Sequence, residues 1–171
     1  GTYRKDQKAG SSEPGEFYWP GFVAVDKVGK IYVSDYLNFR IQVFSPQGRV
    51  LGSFGQNGDT PGSFHRPRGI TVDNQGNVWV VDSAFGNIQI FDQAYRLLCC
   101  CCENGIGAAG MTQLPTGIAF DGKNRFYLVE QGNARIQVFQ YLSPDEGDEM
   151  KQKMTKAGKF NTPAAQVQNT P

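Results

Sequence analysis

Between Phe17 and Phe139 the chain alternates short runs of β-branched and aromatic residues with clusters of Gly, Asn, Asp and Pro. The pattern is clearest over residues 67–91. There Gly69-Ile70-Thr71-Val72 ends at Asp73, Val78-Trp79-Val80-Val81 ends at Asp82, and Ile88-Gln89-Ile90-Phe91 follows a short loop. Runs of this kind, bounded by turn formers, predict strands. The same grammar occupies residues 20–44 and 115–139, offset by 47 and then 48 positions. A fourth run, over 49–54 and again from 95, follows the first two copies. Four short strands joined by tight turns make one antiparallel sheet, and a period of roughly 45 residues is that of a propeller blade. A lone sheet of this type leaves an apolar face bare, so neighbouring blades must pack on one another.

The repeat divides the chain into 15–60 (first blade), 61–107 (second) and 108–142 (third), with flanks 1–14 and 143–171. The third copy keeps three strands and lacks the fourth. In its place Ser143-Pro144-Asp145-Glu146 reads as a helix start, with an N-cap Ser, Pro at the first helical position and Glu at the third. Met150, Met154 and Ala157 then recur at helical spacing, and Glu149 precedes Lys153 by one turn, so the pattern predicts a short helix over about 144–156. Residues 2–7 match the outer-strand position of a neighbouring blade. Pro14-Gly15-Glu16-Phe17 matches Pro61-Gly62-Ser63-Phe64, and Gly158-Lys159-Phe160-Asn161-Thr162-Pro163 repeats the opening of a further copy.

These residues resemble the NHL repeat, a propeller unit built around Pro-x-Gly-Ile-Ala-Val-Asp, Gly-Asn-Ile-Tyr-Val-x-Asp and Asn-x-Arg-Ile-Gln-Val-Phe. The resemblance covers about 17–139 and rests on three copies in register. It implies an all-β fold: a β-propeller of NHL type with three four-stranded antiparallel blades, the third short of one strand, in an incomplete ring. It also implies a binding platform for proteins or ligands; some members read RNA, and one relative is a peptide-amidating lyase. Three blades do not close a ring, since propellers have roughly four to eight. A longer polypeptide, a second copy or a different partner would have to cover the open faces. The register of both ends favours a piece of a longer propeller or a permanently docked half.

Composition narrows the function classes. Gly makes up 21 of 171 residues, as a turn-rich fold requires, and the net charge of +1 gives no electrostatic footprint for nucleic acid. No apolar run approaches the roughly 18 residues that span a bilayer. The start at Gly1 reads as a trimmed or processed end, and an extracytoplasmic location, periplasmic or extracellular, is the expectation. All four cysteines, Cys99 to Cys102, are consecutive, which fits neither a disulfide framework nor one metal site built on a strand. Their alignment with Gly52 to Gly55 sets them on an outer strand as small apolar side chains, a link or metal shared with a partner being the alternative.

Asp35-x-x-Asn38-x-Arg40 and Glu130-x-x-Asn133-x-Arg135 read as structural: an acid at a strand end binds turn amides and pairs with the Arg. The second copy departs from this pattern, with Phe85 for the Asn and Asn87 for the Arg. Phe85 either meets a partner or packs on the adjacent blade. By the resemblance, one rim is formed by residues 36–39, 83–86 and 131–134 with the inter-blade loops 56–66 and 103–114. Tyr36, Leu37, Phe39, His65, Arg66, Arg68 and Phe85 are therefore the candidate partner-binding residues, Tyr36 and Phe39 having gap-filling between blades as the bland alternative. His65, the only histidine, has no second ligand in sight, and no catalytic motif, metal site or cofactor is expected. The expected function is a non-enzymatic interaction scaffold needing a protein partner or further blades. A lyase- or lactonase-like enzyme with a site at the ring axis, or an RNA reader, is the alternative.

Overall fold

In the computed structural model the described residues are 10–121, 123–142 and 144–156. They fall in two units, divided after Phe139, and each is described by itself. The first blade is a meander of β1 (Pro20–Val25), β2 (Ile31–Asp35), β3 (Arg40–Phe44) and β4 (Val50–Phe54), with a 3-10 turn Tyr36–Asn38 between β2 and β3. The second repeats it with β5 (Pro67–Val72), β6 (Val78–Asp82), β7 (Asn87–Phe91) and β8 (Leu97–Cys101). A two-residue parallel pair, β9 (Glu103–Asn104) and β10 (Met111–Thr112), ties the next inter-blade loop to itself. The third blade has β11 (Pro115–Phe120), β12 (Arg125–Glu130) and β13 (Arg135–Gln140), three antiparallel strands as the missing fourth run predicts. The blades do not close a ring.

The second unit contains helix α1 (Pro144–Lys156). Its Glu149–Lys153 pair, one turn apart, is present at 3.7 Å, and Met150 and Met154 are exposed. The expected N-cap Ser143, Ala157, the strand over residues 2–7 and the further repeat opening at 158–163 lie outside the described residues.

Blade packing follows from strand alternation. Phe22 and Ala24 of β1, Tyr32 of β2, and Ile41 and Val43 of β3 meet Ile70, Val78, Val80 and Phe91 of the second blade in one core. Phe64, from the loop between the blades, is fully buried there. Its ring leaves no space for a Cβ at Gly55, whose φ of +89° is itself a left-handed conformation that glycine adopts freely. At the matching positions of the next loop, Cys102 carries a Cβ at φ 67° and Thr112 replaces the phenyl ring. On the other face of β6, Trp79 packs edge-on against Phe120 at 4.9 Å and against Phe126 at 5.1 Å. β6 is thus covered on both sides, which explains its unbroken apolar run.

The outer blades each keep one bare face. Val23 and Val25 are 64% and 60% exposed, and Ile136 and Val138 are 62% and 54% exposed. Phe17, the repeat-equivalent of Phe64, is only half-buried, against Phe44 at 5.6 Å. Truncating Phe64 to Ala should therefore cost about 3–5 kcal/mol in urea unfolding, and Phe17→Ala less than half of that. Equal costs would mean that the first face is as covered as the inter-blade core.

Candidate functional site

The carboxylates at the ends of the second strands organise the loops. Asp35 is fully buried and accepts the backbone N–H of Tyr18 (2.7 Å), Nδ2 of Asn38 (2.8 Å), Nε of Arg40 (2.9 Å) and Nε2 of Gln42 (3.1 Å). Glu130 repeats the set with the N–H of Gln113 (3.0 Å), Asn133 (2.7 Å), Arg135 (3.0 Å) and Gln137 (2.5 Å). The structural reading of both motifs is correct. In the second blade Asp82 accepts, among the described residues, only backbone N–H groups, from His65, Arg66, Ala84 and Phe85. The His65 N–H matches those of Tyr18 and Gln113, and three further amides satisfy the carboxylate where its neighbours use an asparagine, an arginine and a glutamine.

The recurring glutamine is the part that sequence reasoning missed. Gln42, Gln89 and Gln137 accept the N–H of Gly15, Gly62 and Gly110 at 2.9, 2.8 and 3.2 Å. Each donates in turn to a carbonyl of the same incoming loop: Glu16, Ser63 and Met111, at 2.7, 2.7 and 2.9 Å. A polar residue at a fixed position between apolar neighbours, three times over, was the available signal.

The expected partner-binding residues separate into two places on this frame. Tyr36, Leu37 and Arg68 line a cleft of about 580 Å³ between the first and second blades, together with Trp19, Phe22 and Pro67. The ladder between β5 and β6 is irregular from Pro67 to Ile70, so Arg68 sits in a bulge. Its guanidinium lies over the Tyr36 ring, 5.4 Å from the centroid, and its buried Nε has no hydrogen-bond partner among the described residues. Trp19 is 71% exposed at φ 65°, a conformation unusual for a bulky residue. Phe39, His65 and Phe85 form a row instead, with His65 6.3 Å from Phe39 and 5.6 Å from Phe85. Arg66 is exposed next to them. Trp19 was overlooked, although its place before Pro20, on an inter-blade loop, was the clue.

The cysteines occupy the edge strand β8 and its exit, as the alignment predicts, and all four are free thiols. The interaction of the two neighbouring thiols, with burial, pushes Cys101 up, and the same interaction pulls Cys102 down. Among the described residues no group of three His, Cys, Asp or Glu is placed to hold a metal. No helix among them is long and apolar enough to cross a membrane.

The NHL repeat matches residues 17–44 and 64–91. No curated protein matches the sequence. Among solved structures, a streptogramin B lyase is 14% identical with a TM-score of 0.52, over 71% of this chain and 40% of that one. A protein of unknown function from Bacteroides thetaiotaomicron is 18% identical with a TM-score of 0.58, over 71% and 34%. Regucalcin, a calcium-binding protein from Agrobacterium tumefaciens, is 18% identical with a TM-score of 0.50, over 80% and 43%. The chain thus spans well under half of these propeller structures, and the likeness is one of fold.

Two outcomes follow from this chemistry. Burial alone would raise the Glu130 carboxyl, but bonds from Asn133, the Gln113 N–H, Arg135 and Gln137 hold it below the usual range. A depressed folded value stabilises the protein above the unfolded pKa of about 4.3 and is lost as the pH falls through the folded value. Thermal melts from pH 6 down to pH 2 should accordingly show a shallower acid loss for Glu130→Gln than for the native chain; parallel curves would contradict the bond set. Brief alkylation at neutral pH, read by peptide mass, should modify Cys102 before Cys101, and the reverse order would contradict the opposite shifts of the two thiols.

Proposed function

Since two of its blades carry NHL-repeat matches, over residues 17–44 and 64–91, we propose that the chain works as a protein-interaction module, a row of blades that docks into a larger assembly. The observation that carries this reading is the pair of bare apolar faces, Val23 and Val25 on the first blade and Ile136 and Val138 on the third. Open sheet faces of this kind favour coverage by further protein, either more blades or a partner subunit. The rim cleft supplies a second contact region of suitable chemistry. Trp19, Tyr36, Leu37 and Arg68 combine aromatic, aliphatic and guanidinium surface, the residue types that dominate binding hot spots.

Likeness of fold to a streptogramin B lyase does not bring its activity along, because function lives in sites rather than in the fold. The scaffold reading is tested by light scattering and dye binding on the purified chain. It predicts concentration-dependent self-association and binding of an apolar dye, with Val23→Lys plus Ile136→Lys restoring a monomer of unchanged melting temperature. A monodisperse native chain that binds no dye would contradict it.

A further inference from the structure

The second blade has lost an arginine but kept the socket that arginine fills. In the first blade Arg40 reaches past Asp35 into the incoming loop. Its Nη1 donates to the carbonyl of Ser12 (2.7 Å), and Nη2 to those of Glu13 (3.1 Å) and Glu16 (3.1 Å). In the third blade Nη2 of Arg135 does the same to Ala108 (3.1 Å) and Met111 (2.8 Å). The repeat register sets Asn87 at this position and makes Asp59, Thr60 and Ser63 the equivalents of Ser12, Glu13 and Glu16.

Asn87 is too short to reach those carbonyls. What remains is a cavity of about 260 Å³ lined by Asp59, Thr60, Phe85, Asn87, Gln89 and Cys100. Asn87 Oδ1 is buried and has no hydrogen-bond partner among the described residues. A buried acceptor without a donor carries an uncompensated desolvation cost that a donor seated beside it removes. The same loop geometry persists without the arginine: Gln89 still grips Gly62 and Ser63, and Ser63 N–H still donates to Thr60 at 2.9 Å. Because Asp82 is satisfied by backbone amides, the socket stands open without leaving a bare carboxylate. Asp59 brings the one acidic side chain among the lining residues, and Phe85 contributes an aromatic wall.

We infer that this cavity is a binding socket for a guanidinium group. The cation would donate to the loop carbonyls that Arg40 and Arg135 satisfy from within their own blades and, with the Asn87 amide turned to bring its buried oxygen to the cavity, to Asn87 Oδ1, and would lie against Phe85. An arginine side chain of a protein partner and a small free guanidinium compound share this chemistry. The inference stands on the second blade alone and holds whether or not the chain is a scaffold.

The test is a titration of the isotope-labelled chain with methylguanidinium, N-acetylarginine methylamide and methylammonium, following the Asn87 side-chain amide by NMR. Both guanidinium compounds should shift that resonance and saturate, with dissociation constants on the order of 1 mM, and methylammonium should bind at least about tenfold more weakly. Tighter binding of the arginine derivative than of methylguanidinium assigns the socket to a partner's arginine; equal binding assigns it to a small cation. Asn87→Arg should fill the socket from within, raise the melting temperature and abolish binding at Phe85 and Thr60. Asn87→Leu, which removes the acceptor, gives a second variant expected to lose binding. Absence of saturable guanidinium binding, or binding that survives either substitution, would overturn the assignment.

Discussion

The architecture depends on one clamp, used three times: a buried carboxylate and a glutamine that grip the backbone of the loop arriving at their blade. Asp35 with Gln42, Asp82 with Gln89 and Glu130 with Gln137 each hold at least one N–H near the end of that loop and both polarities of its turn. Hydrogen bonds to a charged acceptor contribute more than neutral ones, roughly 1.5–3 kcal/mol each. Their larger effect is on register. The loop that the second clamp holds carries Phe64, and only a fixed loop can deliver that ring into the seam between the first and second blades. Gly55 is glycine because the ring lies against it.

A repeated clamp makes each departure from it informative. In the first and third blades an arginine completes the set, and its reach into the loop explains why its stem and fork are needed as well as its charge. In the second blade three further amides, those of Arg66, Ala84 and Phe85, stand where the arginine, asparagine and glutamine bond the other two carboxylates, which frees the arginine and asparagine positions from structural duty. One of them became Phe85, which packs beside His65 on the rim. The other became Asn87, which borders a cavity. The cleft at Trp19 arises differently, from the bulge at Arg68 and from the first blade's place at the edge of the described blades.

Most of the fold was legible because a blade is a local object. Its strands, turns and period are written within about 45 residues of contiguous chain, and three copies in register average out local ambiguity. The bare faces were legible too, from blade count alone. The clamp was only half legible. Acid and arginine at strand ends stand out as a charged motif, whereas Gln42, Gln89 and Gln137 sit inside apolar strands and look like ordinary variation until their partners across the seam are visible. Of the expected contact residues, Tyr36, Leu37 and Arg68 share a cleft and Phe39, His65 and Phe85 share a row, a division that depends on a β-bulge and a left-handed Phe39 rather than on residue type. That Phe85 and Asn87 break the pattern was plain from the sequence. That the break leaves an open socket was not, because it takes the volume of an arginine side chain in a particular turn to show it.

Amide hydrogen exchange at the inter-blade loops tests the clamp most directly. Gly62, His65 and Arg66 lie outside regular strands, and their N–H groups donate to Gln89 and Asp82. If the clamp holds the blades in register, these amides exchange as slowly as those of β6 and speed up together when Gln89 is changed to Ala. Exchange at the rate of the exposed turn amides, unaltered by that substitution, would contradict the account.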